Sequence, residues 1–268
     1  RRAGNSWAAR HNSTLPPPRM KPHLKLAETT TPDGARLTLH EHDGEFCVRV
    51  NGQALMDSTV ATSEGQIGEL ATDTFPRFGK SRVLIGGLGL GFTLRSALEG
   101  VGPHGVVEVA ELVPAIVEWN RTFLKKLNGA LVGDKRVALH VGDVWGVLAR
   151  AGTARYDAII LDTDNGPTPL VQRSNARLYD DAGLKRIHTA LRPTGRVVIW
   201  SATPDHAYAA RLVKAGFKVE VVAAKVHATA KRAAYTLYVA DKVAVADSHS
   251  LSKISPTDSG PRRLQSQG

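Results

Sequence analysis

A cluster of four glycines marks the first place in this sequence where the backbone could bind a ligand. Gly86, Gly87, Gly89 and Gly91 lie between an apolar run of β-forming residues and a helical stretch that begins at Phe92. Side chains in such a turn would hold a bound molecule away from the backbone, and glycine has none. We therefore predict a nucleotide-binding turn, with a purely structural turn as the alternative.

Acidic residues follow the next two apolar runs. Glu111 stands at the end of the second run, where a carboxylate can accept hydrogen bonds from both hydroxyls of a ribose. Glu108, in the same run, is the competing candidate. Asp143 follows the third run, where it could accept a hydrogen bond from an adenine amino group or cap the next helix. These two roles can coexist.

The fourth apolar run ends in a group of polar residues suited to proton transfer. Asp162 follows the run directly, with Asp164 and Asn165 close behind. We predict Asp162 as the group that orients a nucleophile or accepts its proton, with the other two in support. Tyr179 is a further candidate at the mouth of the acceptor site. The alternative is a tight Asp-Asn-Gly turn held by local side-chain bonds.

These residues must be positioned by a sheet, because each acidic group follows a strand-like run. Five early runs separated by helical stretches predict a doubly wound parallel sheet, and two late runs predict a closing antiparallel pair. The fold class is therefore α/β, Rossmann-like, with seven strands. The predicted strands cover residues 83–85, 106–110, 137–141, 158–161, 197–200, 219–223 and 235–239.

Period-two alternation upstream of this unit predicts a small antiparallel β-hairpin region, with turns at Asp43-Gly44 and Asn51-Gly52. A helix is expected to start near Ser63. We divide the chain into a disordered basic extension (1–25), an N-terminal β region (26–62), an α/β catalytic domain (63–242) and a disordered tail (243–268).

Bulk composition limits the possible functions. Of the 268 residues, 42% are hydrophobic, and none of the apolar runs approaches the roughly 18 residues of a membrane span. Cys47 is the only cysteine and the histidines lack ligand spacing, so we predict neither a disulfide nor a metal site, and a cytoplasmic location. The net charge of +10 comes largely from the two ends. Solvated surface charge is favoured over nucleic-acid binding.

The order of these motifs, with the N-terminal hairpins and Ser63-Glu64, resembles the spermidine synthase (polyamine aminopropyltransferase) family, whose members have the class I S-adenosylmethionine-dependent methyltransferase fold. The resemblance covers about Leu37 to Ala240. It implies that the glycine turn, Glu111, Asp143 and Asp162 bind decarboxylated S-adenosylmethionine, and that the protein is a homodimer.

The chain departs from the family pattern at three places. Gly89 stands where the family has an aspartate that suits a donor bearing an ammonium group but no carboxylate. The Tyr-His pair that helps to hold the acceptor falls at Ile67-Gly68. The family's Asp-Ser-Ser-Asp-Pro loop is replaced by Asp-Thr-Asp-Asn-Gly-Pro, which begins at Asp162.

The residues and the resemblance together predict a transferase that uses an S-adenosyl sulfonium co-substrate and no metal. Because Gly89 removes an acid that would repel a carboxylate, we expect methyl transfer from S-adenosylmethionine to a small-molecule acceptor, an amine or a hydroxyl. One alternative is aminopropyl transfer from decarboxylated S-adenosylmethionine. Another is a non-catalytic nucleotide-binding module.

Overall fold

The computed structural model describes residues 23–76, 79–163, 166–167, 175–227, 229–230 and 232–243. The two stretches predicted to be disordered, 1–25 and 243–268, lie almost entirely outside the described residues. Three residues of the first stretch are described, and its Leu24 already belongs to a strand.

Two tight turns organise the N-terminal part of the chain. Asp43-Gly44 and Asn51-Gly52 all have positive φ (54°, 87°, 49° and 86°), as type I′ hairpin turns require. They connect the last three of four antiparallel strands, which pair in chain order. The strands are β1 (Leu24–Thr30), β2 (Arg36–His42), β3 (Glu45–Val50) and β4 (Gln53–Asp57). The alternation pattern predicts β2 to β4, while β1 is additional. Its mostly exposed or half-buried residues show no clear apolar face.

A seven-stranded sheet forms the larger part of the molecule, as predicted. The strands are β5 (Arg82–Gly86), β6 (Val106–Glu111), β7 (Val137–Val141), β8 (Tyr156–Leu161), β9 (Leu191–Ser201), β10 (Phe217–Ala224) and β11 (Tyr235–Lys242). Their order in the sheet is β10-β11-β9-β8-β5-β6-β7, with parallel pairing among β5 to β9 and antiparallel pairing of β11 with β9 and β10. This is the mixed α/β arrangement that the sequence predicts.

Helices cover both faces of this sheet and bury two apolar clusters. The helices are α1 (Thr62–Thr72), α2 (Phe92–Gly100), α3 (Pro114–Arg121), α4 (Lys125–Asn128), α5 (Val144–Arg150), α6 (Ala176–Tyr179), α7 (Asp181–Ala190) and α8 (His206–Lys214). One cluster joins the sheet to α1, α2, α3 and the N-terminal strands, and the other joins it to α5, α7 and α8. The first cluster places the N-terminal sheet and α1 beside the carboxyl ends of the parallel strands.

Candidate active site

A cavity of about 180 Å³ opens at the carboxyl ends of β5, β6 and β8. Apolar side chains of the N-terminal sheet, Leu37, Leu55 and Met56, form one of its walls. The glycine turn and the polar ends of the parallel strands form the wall opposite. Ligands of open α/β sheets bind at this edge, so the cavity is the candidate active site.

The glycine turn is held against the sheet by the carboxylate of Glu111. The backbone N–H groups of Leu88 and Val113 donate to its two oxygens at 2.9 and 2.8 Å. Burial raises the pKa of Glu111, and these backbone donors oppose that rise. Glu111 lines the cavity, and the ribose contact stays a prediction.

Glu108, the competing candidate on the same strand, has a different environment. Its side chain is 4% exposed and accepts hydrogen bonds from Arg82 and Arg155 at 2.6 and 2.7 Å and from the Tyr156 hydroxyl at 3.1 Å. Burial opposes the ionised form, but these partners prevail and lower the pKa of Glu108. It does not line the cavity, and the choice of Glu111 as donor-binding candidate therefore rests on position as well as on motif.

Replacing Glu111 with Gln should weaken donor binding by about 10- to 100-fold, because a hydrogen bond to a charged group contributes roughly 1.5–3 kcal/mol. The Gln amide would also turn a donor toward one of the two backbone N–H groups that now donate to the carboxylate. Isothermal titration calorimetry with the donor measures the effect. Glu118→Gln, on the exposed side of α3, is the control. Equal affinities in the two variants would remove Glu111 from the donor site.

Asp143 caps α5 and also lines the cavity. Its Oδ1 accepts from the Trp145 N–H at 2.8 Å, and its other oxygen pairs with the Arg177 guanidinium. The guanidinium also lies 5.0 Å from the centre of the Trp145 ring. The helix-capping role is therefore present, and the adenine contact stays a prediction.

Asp162 is the acidic side chain that follows β8. The Thr93 hydroxyl on α2 donates to its Oδ2 at 2.8 Å, and the same hydroxyl oxygen lies 3.3 Å from the backbone carbonyl oxygen of Glu64. Burial raises the pKa of Asp162, while the Thr93 hydrogen bond opposes the rise. Thr93 therefore ties the end of β8 to the first turn of α1.

Glu64 is a cavity residue that the sequence did not predict as part of the site. Burial, followed by the negative charge of Asp162, raises its pKa to about 7. The only signal was the Ser63-Glu64 pair in the family resemblance. Glu64 becomes a neighbour of Asp162 only because α1 docks against the sheet. The two residues are separated by 97 others in the sequence, and a local sequence pattern does not encode such a contact.

The other predicted site residues either lie outside the described part of the chain or do not line the cavity. Asp164 and Asn165 lie outside the described residues. Tyr179 is 1% exposed and lies behind the cavity wall rather than at its mouth. Its hydroxyl lies 2.9 Å from Oγ1 of Thr163, which does line the cavity. Tyr179 can thus support the wall, but as folded it does not reach the cavity.

Within the ranges that the structure describes, no group of three or more His, Cys, Asp or Glu side chains is arranged to hold a metal ion. In the same ranges, no helix combines the length and the apolar character needed to cross a membrane.

The strand order, the glycine turn and the acidic strand ends define a class I methyltransferase-like α/β fold. Solved structures of similar fold include spermidine synthase from Thermotoga maritima, with a TM-score of 0.62 and 19% identity over 81% of this chain and 72% of that one. A spermidine synthase in complex with the transition state analogue AdoDATO has a TM-score of 0.61 and 16% identity over the same shares.

Curated relatives show that the likeness extends to the amino-acid sequence. A polyamine aminopropyltransferase of Mycobacterium tuberculosis (strain H37Rv) is 32% identical over 128 residues, and one of Prochlorococcus marinus (strain MIT 9215) is 28% identical over 126. Each match covers 47% of this chain but only 24% and 42% of the respective relative. No protein-family model matches the chain. The chain is thus similar in sequence to polyamine aminopropyltransferases and in fold to spermidine synthases, as the motif order predicts.

Proposed function

We propose that this chain transfers an aminopropyl group from decarboxylated S-adenosylmethionine to a small amine. The observation that carries the proposal is the charge of the cavity. Four carboxylates line it, and none of its described lining residues is Lys or Arg. The four are Glu64, Glu111, Asp143 and Asp162.

This charge favours a donor that carries an ammonium group but no carboxylate. The carboxylate of ordinary S-adenosylmethionine would enter a partly buried site whose described lining holds no Lys or Arg, since the nearby Arg177 guanidinium is already paired with Asp143. The sulfonium and ammonium of the decarboxylated form find opposite charges there. An amine acceptor, which is a cation at neutral pH, is favoured for the same reason.

The methyl-transfer expectation based on Gly89 is not supported. The curated relatives are named aminopropyltransferases, and the solved structures include spermidine synthases. The surroundings of Gly89 also argue against it. A Cβ atom there would meet only the Met56 sulfur, at 3.0 Å, within 4 Å. The loss of an acid at position 89 is thus accompanied by a thioether and not by a cation that would hold a carboxylate.

The chain's own residues have three tasks in this reaction. The glycine turn and Glu111 hold the nucleoside part of the donor, and Asp162, fixed by Thr93, orients the reacting groups. The sulfonium of the bound donor supplies an activated carbon, because its thioether leaves readily. The acceptor ammonium must lose a proton before its nitrogen can attack that carbon, and carboxylates line the space where this would occur.

The proposal is tested by donor preference and by product mass. We expect decarboxylated S-adenosylmethionine to bind about 5- to 30-fold more tightly than S-adenosylmethionine, as about 1–2 kcal/mol of charge repulsion implies. Calorimetry measures the two affinities, and mass spectrometry of an amine panel distinguishes an added aminopropyl group from an added methyl group. Tighter binding of S-adenosylmethionine, or a methylated product, would refute the proposal. Homodimerisation and a cytoplasmic location stay predictions.

A further inference from the structure

The positions that correspond to the family's acceptor-holding pair cannot reach the cavity in this chain. Ile67 is fully buried in the apolar cluster between α1 and the sheet. Gly68 faces α2 so closely that a Cβ atom would lie 1.9 Å from Oγ of Ser96. Ile67 serves the contact of α1 with the sheet and Gly68 its contact with α2, so another group must meet the acceptor.

Glu64 lies one helical turn earlier on α1 and lines the cavity. A chain of hydrogen bonds orients its carboxylate. The Trp200 indole N–H donates to Oγ of Ser63 at 3.3 Å, and the Ser63 hydroxyl donates to Oε2 of Glu64 at 2.7 Å. Ser63 is 1% exposed, so this connection is shielded from water. Trp200 itself belongs to the cavity wall.

The surroundings of Glu64 favour a cation. Among the described residues, the titratable groups that bear on it are Asp162 at the end of β8 and Tyr235 at the start of β11. Neither supplies positive charge. The centres of the Tyr235 and Trp200 rings lie 4.9 Å apart. Trp200 lines the cavity, and ammonium groups bind favourably to the face of an indole ring.

We propose that Glu64 binds the ammonium of the acceptor amine and accepts its proton; this inference rests on the proposed function. The acceptor R–NH₃⁺ gives one proton to the Glu64 carboxylate and becomes R–NH₂. The nitrogen lone pair then forms a bond to the methylene carbon beside the donor sulfur. The carbon–sulfur bond breaks, its electron pair stays on the sulfur, and the sulfonium becomes a neutral thioether. The product leaves as a secondary ammonium, and the Glu64 proton passes to solvent.

The environment of Glu64 gives this step a pH dependence. Because burial and the Asp162 charge raise the pKa of Glu64 to about 7, the carboxylate form that accepts a proton is lost as pH falls below about 7. The kcat/KM for the acceptor reports ionisations of the free enzyme. It should therefore decline on the acid side with a midpoint near 7.

The test compares Glu64→Gln with Glu69→Gln, the same change at an exposed position on the same helix. We expect Glu64→Gln to weaken binding of 1,4-diaminobutane at least about tenfold in calorimetry. It should also lower the single-turnover transfer rate by about 10²–10⁴-fold and abolish the acid-side decline with its midpoint near 7. Donor affinity should fall much less than diamine affinity, because three of the four lining carboxylates remain, and Glu69→Gln should behave as the unmodified protein.

A melting experiment checks that the Glu64→Gln protein still folds. The folded state disfavours the charged form of Glu64, so its ionisation lowers stability as pH rises from about 4.5 to about 7. At pH 8, Glu64→Gln should therefore melt at the same temperature as the unmodified protein or higher. Unchanged diamine binding and an unchanged rate in a folded Glu64→Gln protein would overturn the proposal. If the unmodified protein transfers no aminopropyl group to any amine, the proposed function fails, whereas the binding comparison still decides whether Glu64 holds the ammonium.

Discussion

Replacing Asp162 with Asn should lower the transfer rate at saturating substrates by about 10²-fold or more. The change keeps the size of the side chain and lets the Thr93 hydroxyl go on donating to it, but removes the charge that orients the reacting groups. Misplacement of reactants by about 1 Å is enough for an effect of this size. Donor affinity should fall by less than about tenfold, because the glycine turn and Glu111 still hold the nucleoside part.

Single-turnover kinetics followed by mass spectrometry measures the rate, and calorimetry measures donor binding. Asp181→Asn, an exposed position on α7, is the matched control. This experiment also separates an enzyme from a non-catalytic nucleotide-binding module, since a module has no turnover to lose. If Asp162→Asn reduces only donor affinity and reacts at the normal rate when saturated, Asp162 belongs to donor binding alone.

Replacing Gly87 with Ala should disrupt the site through the backbone. A Cβ atom at position 87 would lie 2.1 Å from the carbonyl oxygen of Asp162, and the residue has φ +94°, which L side chains rarely adopt. Neither strand can move aside easily, because β5 and β8 are hydrogen-bonded neighbours at the centre of the sheet. We expect a loss of about 2–6 kcal/mol in the free energy of unfolding, from strain and overpacking together. Donor binding should be lost as well.

Gly34→Ala separates the two causes of that effect. Gly34 has a similar φ of +90°, but a Cβ atom there would meet nothing within 4 Å. This control should therefore show only the backbone strain, about 1–3 kcal/mol. Urea denaturation measures both variants. Equal losses in the two would mean that the close approach to Asp162 has no energetic role.

The fold could largely be predicted because its determinants are local. Asp43-Gly44 and Asn51-Gly52 specify their turns by residue type, and the apolar runs followed by helical stretches specify the parallel sheet. The strand β1 escaped prediction because it lies at the edge of its sheet and has no clear apolar face. Its position depends on pairing with β2, which a single segment does not reveal.

The candidate site could be predicted only in part, because packing between distant elements brings some of its residues together. Glu111 ends a strand, Asp143 and Asp162 come just after strands, and strand ends meet at one edge of a parallel sheet. Glu64 comes from a helix that precedes the sheet, and its proximity to Asp162 arises from packing. Tyr179 is the converse case, since its sequence position near the predicted acceptor loop did not reveal that its ring is buried.

The wall that Leu37, Leu55 and Met56 contribute to the cavity has a thermodynamic consequence. A ligand that touches this wall and the glycine turn at once binds only when the N-terminal strands are docked, so its binding free energy adds to the stability of that docking. The coupling is reciprocal. A substitution that loosens the N-terminal hairpins, remote from every reacting group, therefore reduces ligand affinity by the same free energy that the ligand contributes to holding the hairpins in place.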